Sequence, residues 1–383
     1  MGYKYKVGAL LFALFILFMV MAAPLWAYQD PVHLISPRDA ALGGRHAALS
    51  DSFSSLVNNP AGYYSSPEEV SIAELTLGLK GPVFSMADII TSGELTQLGD
   101  LINGIYAGID ILGPLSFGYV GKGLGFGVFN QSSLVLRSDN SLTANVDVWD
   151  DIVMTGGYAY RLPFSGDIHT LDAGIMLKGG FRGAIDGGMS VVDIMDLNYT
   201  ILIDKPFSFT SFIGADLGLR YEWKDSWVVG LVGRDVYSPT LTTRYDNVND
   251  FLEGAAPVPG GERNYDTMPF QLDIGLMYLP KADLSRYSIS EIKLLFDYRD
   301  IFDFWLYPEL ADNPILHVGL GTEITVLEIL EVRLGLSQGL PAAGIGLDLH
   351  YFRLNASMFG TERSTEPGLA PVYNLQIGLE FRA

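Results

Sequence analysis

The stretch that most constrains this chain lies at its end. In Val372–Arg382, Tyr373, Leu375, Ile377, Leu379 and Phe381 fall on one face of an extended backbone, and Val372, Asn374, Gln376, Gly378, Glu380 and Arg382 on the other. Period-two alternation sustained this far describes a strand with one apolar and one wet face. The pattern recurs upstream. Leu316, Val318, Leu320, Thr322, Ile324 and Val326 oppose His317, Gly319, Gly321, Glu323 and Thr325, and Leu171, Ala173, Ile175 and Leu177 oppose Asp172, Gly174, Met176 and Lys178. Such runs lie near 69–79, 114–122, 124–136, 150–162, 170–183, 208–223, 226–237, 269–280, 290–300, 315–326, 330–338, 342–350, 352–360 and 372–382. A set of about 14 runs, each roughly ten residues long, is what an antiparallel transmembrane barrel requires.

The connections carry a second signal. Short links at Gly121–Gly123, Lys224–Ser226, Leu327–Ile329 and His350–Tyr351 alternate with long ones at Lys80–Gly113, Arg137–Trp149, Ala184–Phe207, Ser238–Met268 and Ile301–Pro314. Up-and-down membrane barrels keep short turns on the periplasmic side and long loops outside, whereas a soluble sandwich has no reason to sort its loops by length. Aromatics such as Tyr158, Tyr160, Tyr221, Trp223, Trp227, Tyr278 and Phe381 lie toward run ends, where interfacial girdles sit. The expected fold is all-β: a transmembrane, antiparallel, up-and-down β-barrel of about 14 strands.

Charged residues on the runs then have a defined side. Lys178, Arg182, Arg220, Glu222, Arg234, Lys293, Asp297, Arg299, Glu323, Arg333, Asp348, Glu380 and Arg382 sit mostly on the polar faces. A lipid-facing Arg or Lys near the midplane costs about 2–4 kcal/mol, so these side chains are expected in the lumen. A lumen holding both signs must pair them or keep water.

The N-terminus reads as an export signal over residues 1–27. Lys4 and Lys6 precede the uncharged apolar run Gly8–Ala23, and Leu25-Trp26-Ala27 supplies small residues for cleavage after Ala27. No later segment has 18 consecutive apolar residues. Residues 28–68 then stand apart from the barrel of 69–383. Within them, Ala40–Gly62 (ALGGRHAALSDSFSSLVNNPAG) is too small-residued to build a core, and Arg45-His46 interrupts it. It ends in Asn58-Asn59-Pro60-Ala61-Gly62, a backbone device in which Pro60 fixes φ, Gly62 can take φ > 0 and Asn59 can bond its own backbone. The segment reads as a plug, or hatch, within the barrel.

Other chemistry is scarce. With no Cys, the chain has no disulfide framework and no thiolate metal site. His33, His46, His169, His317 and His350 are scattered without ligand spacing, and GxSxG and P-loop motifs are absent. Gly121–Gly127 (GKGLGFG) lies between two strands with no following helix, so it reads as a hairpin. Asp246–Glu253 reads as a solvated external loop, and Asp150-Asp151, at the start of a predicted strand, as solvated carboxylates. The net charge of −20, without basic blocks, argues against nucleic-acid binding. An enzyme, a cofactor and a metal are therefore not expected. One link differs: Pro82–Leu112 carries Leu95, Leu98, Leu101, Ile102 and Ile105 at helical spacing, which predicts short amphipathic helices at the barrel mouth, able to capture a greasy ligand or to cover the rim.

A signal peptide, then ALGG…AALSD…NNPAG, then about 14 alternating strands resembles the FadL-type outer-membrane transporter superfamily, in particular its spirochaete-type branch. The resemblance implies a 14-stranded barrel plugged by a hatch carrying an Asn-Pro-Ala motif, here Asn59-Pro60-Ala61. It also implies passage of long-chain fatty acids and other hydrophobic compounds, with a lateral opening in the wall. The expectation is thus a monomeric barrel in the outer-membrane lipid of a diderm bacterium. It would take up hydrophobic small molecules passively, capturing them near Pro82–Leu112 and releasing them by a rearrangement around Asn59–Gly62. The alternatives are a non-transporting structural or assembly barrel and a general porin.

Overall fold

The structure is a computed structural model. It describes residues 31–383, apart from 33, 35, 83–105, 139–142, 164–165, 167, 191–198, 282–284, 307 and 309–310. Seventeen strand segments form one closed antiparallel sheet. Three wall strands are each made of two segments, so the wall has 14 strands. In chain order these are β1 (Glu69–Lys80), β2 (Tyr106–Leu112 and Phe117–Gly121), β3 (Leu124–Arg137), β4 (Thr143–Arg161), β5 (His169–Ser190), β6 (Phe207–Trp223) and β7 (Trp227–Tyr237 and Pro239–Tyr245). There follow β8 (Asn264–Thr267 and Gln271–Tyr278), β9 (Ile289–Tyr298), β10 (Val318–Val326), β11 (Leu330–Ser337), β12 (Leu340–Leu349), β13 (Phe352–Glu362) and β14 (Pro371–Arg382). Pairing of β1 with β14, from Ser71↔Arg382 to Lys80↔Asn374, closes the ring and leaves no free edge.

Alternation sets what each face shows. Leu75, Leu77, Phe126, Met154, Leu177, Ile213, Leu334, Ile345 and Ile377 stand exposed on the outside. A soluble monomer rarely leaves so continuous an apolar band in water, whereas hydrocarbon accepts it without cost. The inward positions carry the charges that the sequence assigned to the lumen. Asp216, Arg220, Arg234, Lys293, Asp297, Glu323, Arg333 and Glu380 are all buried.

The wall is taller on one side than its sequence pattern predicts. β4 starts at Thr143 and has 19 residues, and β5 runs to Ser190 with 22. β11 has only 8. Ladder pairing from Thr143↔Ser190 onward extends the strands into stretches expected as loop. Asp150-Asp151, expected as solvated carboxylates at a strand start, therefore lies within β4, and Asp151 turns inward to Arg182. Part of the link Lys80–Gly113 is likewise strand, because Tyr106–Leu112 pairs with both β1 and β3. β11 and β12 are joined by Gln338-Gly339 alone, both at positive φ, the geometry of a two-residue hairpin turn. This is a short link at the rim where the long ones gather. Short helices at Val248–Glu253 and Asp303–Leu306 lie in two of those long links.

The N-terminal segment lies inside the barrel. It comprises an extended start, helix α1 (Pro37–Ala41), helix α2 (Ser55–Asn58) and a 3₁₀ turn (Pro60–Tyr64). Ser36 caps α1 through the Asp39 N–H. Its apolar side chains meet the wall in two clusters. Phe53, Leu56 and Tyr63 join Leu112, Val120, Phe129 and Phe212, while Leu42, Ala48 and Leu49 join Val228, Met277 and Leu295.

Wall glycines explain the small-residue composition. A Cβ on Gly174 would lie 2.3 Å from the Pro60 carbonyl carbon, one on Gly230 2.0 Å from the Ala47 oxygen, and one on Gly335 2.5 Å from the Gly43 nitrogen. Gly321 meets the Leu42 carbonyl oxygen in the same way, and Gly344 leaves room for the Ala41 methyl. Two backbones approach without a side chain between them, so the segment is seated in a socket cut into the wall. Gly335→Ala is expected to cost about 1–3 kcal/mol, because the atoms it meets are backbone and cannot rotate away. Gly156→Ala, where nothing lies within 4 Å, is expected to be neutral. Urea unfolding of the purified barrel measures both.

Candidate functional site

The candidate site is the lumen: the seated segment, the charges that hold it and the cavity above it. Asn59 is the segment's backbone anchor. Its extended conformation (φ −153°, ψ 116°) ends α2, and its side-chain oxygen accepts from the Ala61 N–H at 3.0 Å. Its amide donates to the Ala47 carbonyl at 2.6 Å and to Leu219 of β6 at 3.2 Å. Asn58 donates to the Asp39 carboxylate at 3.2 Å. Pro60 opens the 3₁₀ turn, where its missing N–H is no loss. A Cβ on Gly62 would sit 2.7 Å from that of Ser50, so only glycine fits. Asn58, Asn59 and Ala61 have no exposed surface, and none of Asn58–Gly62 lines the mouth cavity. The rearrangement expected around Asn59–Gly62 finds no slack there.

Ion pairs tie the segment to β9, β10 and β11. Arg38 of α1 grips two carboxylates bidentately: Asp51 at 2.6 and 2.9 Å, and Glu323 at 2.6 and 2.9 Å. Lys293 reaches the same two at 2.6 and 3.1 Å. Arg333, with no exposed side-chain surface, adds a 2.7 Å bond to Glu323 and also pairs with Glu331. Burial opposes the Asp51 charge, but Arg38 and Lys293 outweigh it and hold the carboxyl well below its usual range. His46 is buried between Asp297 (Nδ1, 2.5 Å) and the Leu42 carbonyl (Nε2, 3.1 Å), and the Ala47 N–H donates to the other Asp297 oxygen at 2.8 Å.

β7 carries a bulge. Ala215 faces Tyr237 and Leu217 faces Gly233, so Arg234, Asp235 and Val236 together oppose Asp216. Arg234 points inward by the strand's own alternation, after Val228, Gly230 and Val232. It pairs with Asp273 at 2.7 Å and donates to the carbonyls of Val57 and Asn58 at 2.8 and 2.7 Å, capping the C-terminus of α2. Lys178 fills the gap, 3.0 Å from Asp216 and 2.9 Å from Asp235.

Above the segment lies a cavity of about 740 Å³ at the long-link rim. Leu34, Ser36, Asp39, Gly44 and Arg45 form part of its floor, and Trp149, Leu316 and Phe359 are among its apolar walls. Lys80 and Arg182 also face it but are paired, with Asp110 at 2.7 Å and Asp151 at 2.7 Å. Among the described residues, Arg45 and Arg299 have no ion pair with a carboxylate: Arg45 reaches Gln271 at 3.5 Å, and Arg299 the Gly43 carbonyl at 2.9 Å. His317 also lines the cavity, held 3.2 Å from Asp303. Among the described residues no group of His, Asp and Glu could hold a metal ion.

The residues singled out from sequence fall into two sets. Asn58, Asn59, Pro60, Ala61 and Gly62 come together as the segment's anchor. Leu95, Leu98, Leu101, Ile102 and Ile105 lie outside the described residues. The gripping residues of the segment, Arg38, Asp39, Asp51 and Ser65, were not singled out. Their wall partners Glu323, Lys293 and Arg220 were, as inward charges, but the pairs join positions as far apart as 285 residues, and alternation carries no register at that distance.

The lumen and wall together define a plugged 14-strand barrel. No protein-family model and no curated protein matches the chain. Among solved structures it is similar to the toluene transporter TbuX of Ralstonia pickettii, at 12% identity with a TM-score of 0.50, covering 91% of this chain and 97% of that one. The monoaromatic hydrocarbon channel CymD matches at 14% identity and a TM-score of 0.47, covering 90% and 96%. A FadL homologue of Pseudomonas aeruginosa matches at 10% and 0.41, covering 94% and 99%. At such identity the likeness to TbuX is one of fold.

Glu323→Gln strips Arg38, Lys293 and Arg333 of their common partner. It is expected to destabilise the barrel by about 3–5 kcal/mol. Adding Arg38→Gln is expected to cost less than the two single changes summed, since the second removes a charge the first left unpaired. Urea unfolding of the four proteins checks this.

Proposed function

We propose that this chain is an outer-membrane channel for the passive uptake of hydrophobic molecules, long-chain fatty acids among them. One observation carries the reading. A barrel with an apolar outer band has its lumen filled by a seated segment that leaves a cavity of about 740 Å³ open toward the long-link rim. A general porin needs a continuous aqueous lumen, and the seated segment disfavours that. A purely structural barrel gives no reason for a cavity at the mouth. TbuX, which shares the fold, is a toluene transporter, so monoaromatic hydrocarbons are a second ligand class to test. The chain is read as non-enzymatic and monomeric.

In this reading residues 1–27 are a cleaved export signal, 28–68 the hatch and 69–383 the transmembrane barrel. The long-link rim faces outward. Ligand is captured there, with Leu95, Leu98, Leu101, Ile102 and Ile105 as the proposed capture residues. Asn58–Gly62 is the hatch's fixed point, and movement belongs to the part of the segment before α1, where Pro31, Leu34 and Ser36 line the cavity. Pro31 and Leu34 line the mouth cavity and also a smaller one of about 40 Å³ beneath it, beside Val57, Val153, Met176 and Lys178. Across β4–β7 from that smaller cavity, Met154, Phe181, Ile213, Pro239 and Leu241 line an apolar groove of about 420 Å³ on the outside of the wall. The β7 bulge lies between the two, which favours this sector for a lateral exit.

Two measurements test the proposal. Purified barrel is expected to bind a long-chain fatty acid saturably, and Leu98→Asp with Ile102→Asp to weaken that binding. Liposomes containing the barrel are expected not to swell in small sugars. Swelling would move the chain to the porins. No saturable binding of fatty acid or toluene would sink the channel reading.

A further inference from the structure

We propose that His46 is held as an imidazolium and works as a proton-dependent latch between the seated segment and β9, so that rising pH frees residues 42–47 from the wall. The latch belongs to the seat itself and does not depend on what the barrel carries.

His46 has no exposed surface. Its Nδ1 lies 2.5 Å from Asp297 Oδ2, and its Nε2 lies 3.1 Å from the Leu42 carbonyl oxygen. A neutral imidazole offers one N–H and one lone pair. Here both ring nitrogens face oxygen, and a main-chain carbonyl can only accept. With a single ring proton, one of the two contacts would set lone pair against lone pair in a buried site. A ring protonated on both nitrogens satisfies both. The other Asp297 oxygen accepts from the Ala47 N–H at 2.8 Å. With an N–H on each oxygen, Asp297 is used as an ionised carboxylate, and the buried pair is neutral as a whole.

The elements packed against this stretch bring few other charges. Gly230 of β7, Gly275 of β8, Gly319 and Gly321 of β10 and Gly335 of β11 press on residues 42–47 with backbone alone. Asp39 on α1 feels the charges of His46 and Arg38, and it accepts from the Asn58 amide. Arg299, just past β9, donates to the Gly43 carbonyl at 2.9 Å. Lys293, on the inward face of β9, is engaged by Asp51 and Glu323, and Asp273, on that of β8, by Arg234. Arg45 turns to the mouth cavity.

Loss of the ring's second proton breaks one of its two contacts and leaves a buried carboxylate without its cation, which is costly. Leaving the wall relieves this, because water solvates both groups. A histidine in water is neutral above about pH 6.5, so from there upward the seated form holds one proton more than the released form. Base therefore favours release, and acid does not. Gly44 and Arg45 belong to the floor of the mouth cavity, so the stretch that the latch holds is that floor where it meets β9. The end of α2, held by Arg234 and Asn59, does not use this proton and stays seated.

Two measurements on the full mature barrel in detergent test this. In barrel labelled with 15N-histidine at about pH 7.5, one ring is expected to carry protons on both nitrogens, and its signals to vanish in His46→Gln. Amide hydrogen exchange over residues 37–50, corrected for the intrinsic rate at each pH, is expected to lose protection from about pH 7 to about pH 9, approaching about tenfold per pH unit, the slope of one proton. Residues 55–64 are expected to keep their protection, and His46→Gln to remove the slope. A His46 ring with one bare nitrogen, or native protection over 37–50 that does not change with pH, would overturn the latch. A slope that survives in His46→Gln would assign the proton to another group and overturn it as well. Loss over 55–64 in step with 37–50 would mean unfolding of the whole barrel and would overturn a local release. Should His46→Gln fail to fold, the exchange profile of the native barrel decides alone.

Discussion

Backbone-to-backbone contact between the wall and the N-terminal segment is the constraint on which the rest of this structure depends. A lumen ringed by 14 strands is too wide for the side chains of the wall alone to fill. Here it is filled by a second chain segment, and the fit is achieved by leaving side chains out. Gly174 under Pro60, Gly230 under Ala47 and Gly335 under Gly43 let the two backbones meet at distances that a Cβ would forbid. The segment's alanines, serines and glycines are the other half of that surface. Its few large residues go where the wall has pockets for them. Tyr63 lies over Gly125 and Gly157 and donates to the Leu56 carbonyl at 2.7 Å.

Charge does the orienting that apolar contact cannot. A small-residue segment in a smooth socket could slide or turn. Arg38, held by Asp51 on its own segment and by Glu323 on β10, fixes α1 against one side of the wall. Arg234 fixes the end of α2 against the other side. Ser65 donates to Asp172 of β5 at 2.7 Å and fixes the exit from the 3₁₀ turn. Groups of this kind are costly to bury singly and tolerable only when all members are satisfied, which makes them good markers of one position and poor tolerators of others.

How much of this was legible in the sequence follows from what each signal measures. Alternation reports which face of a strand meets apolar surroundings, so the barrel, its strand number and the inward set of charges could be read directly. Val372–Arg382 is the clear case, and it forms β14 from Pro371 to Arg382. Alternation is less plain at the strand ends of the tall side, where Ala144, Val146 and Met189 are buried against Ile201 and Leu202 of a neighbouring link. Thr143–Trp149 and Ala184–Ser190 were therefore expected as loop although they pair as ladder. Alternation also cannot see a strand that breaks and resumes, as β2 does between Leu112 and Phe117. The Asn59-Pro60-Ala61-Gly62 turn was visible as local backbone chemistry. The partners of Arg38 and His46 were not, because they arise from residues brought together only by closure of the ring. The interruption of the small-residue stretch at Arg45-His46 was the one visible trace. The structure divides that pair, burying His46 against Asp297 and leaving Arg45 facing the cavity.

The unequal strand lengths give the barrel an oblique lip. On the β4–β5 side the wall continues through strands of 19 and 22 residues, while β11 and β12 turn back after 8 and 10 across two residues. Ser337 and Gln338, at that low point, already line the cavity. Links make up the missing height there: Asn313 donates its backbone N–H to the Thr365 carbonyl at 2.9 Å, Ile315 lies beside Gly339, and the Glu362 N–H donates to Gln338 at 2.9 Å. On this side the lip is therefore built from loop, and only on the β4–β5 side from ladder.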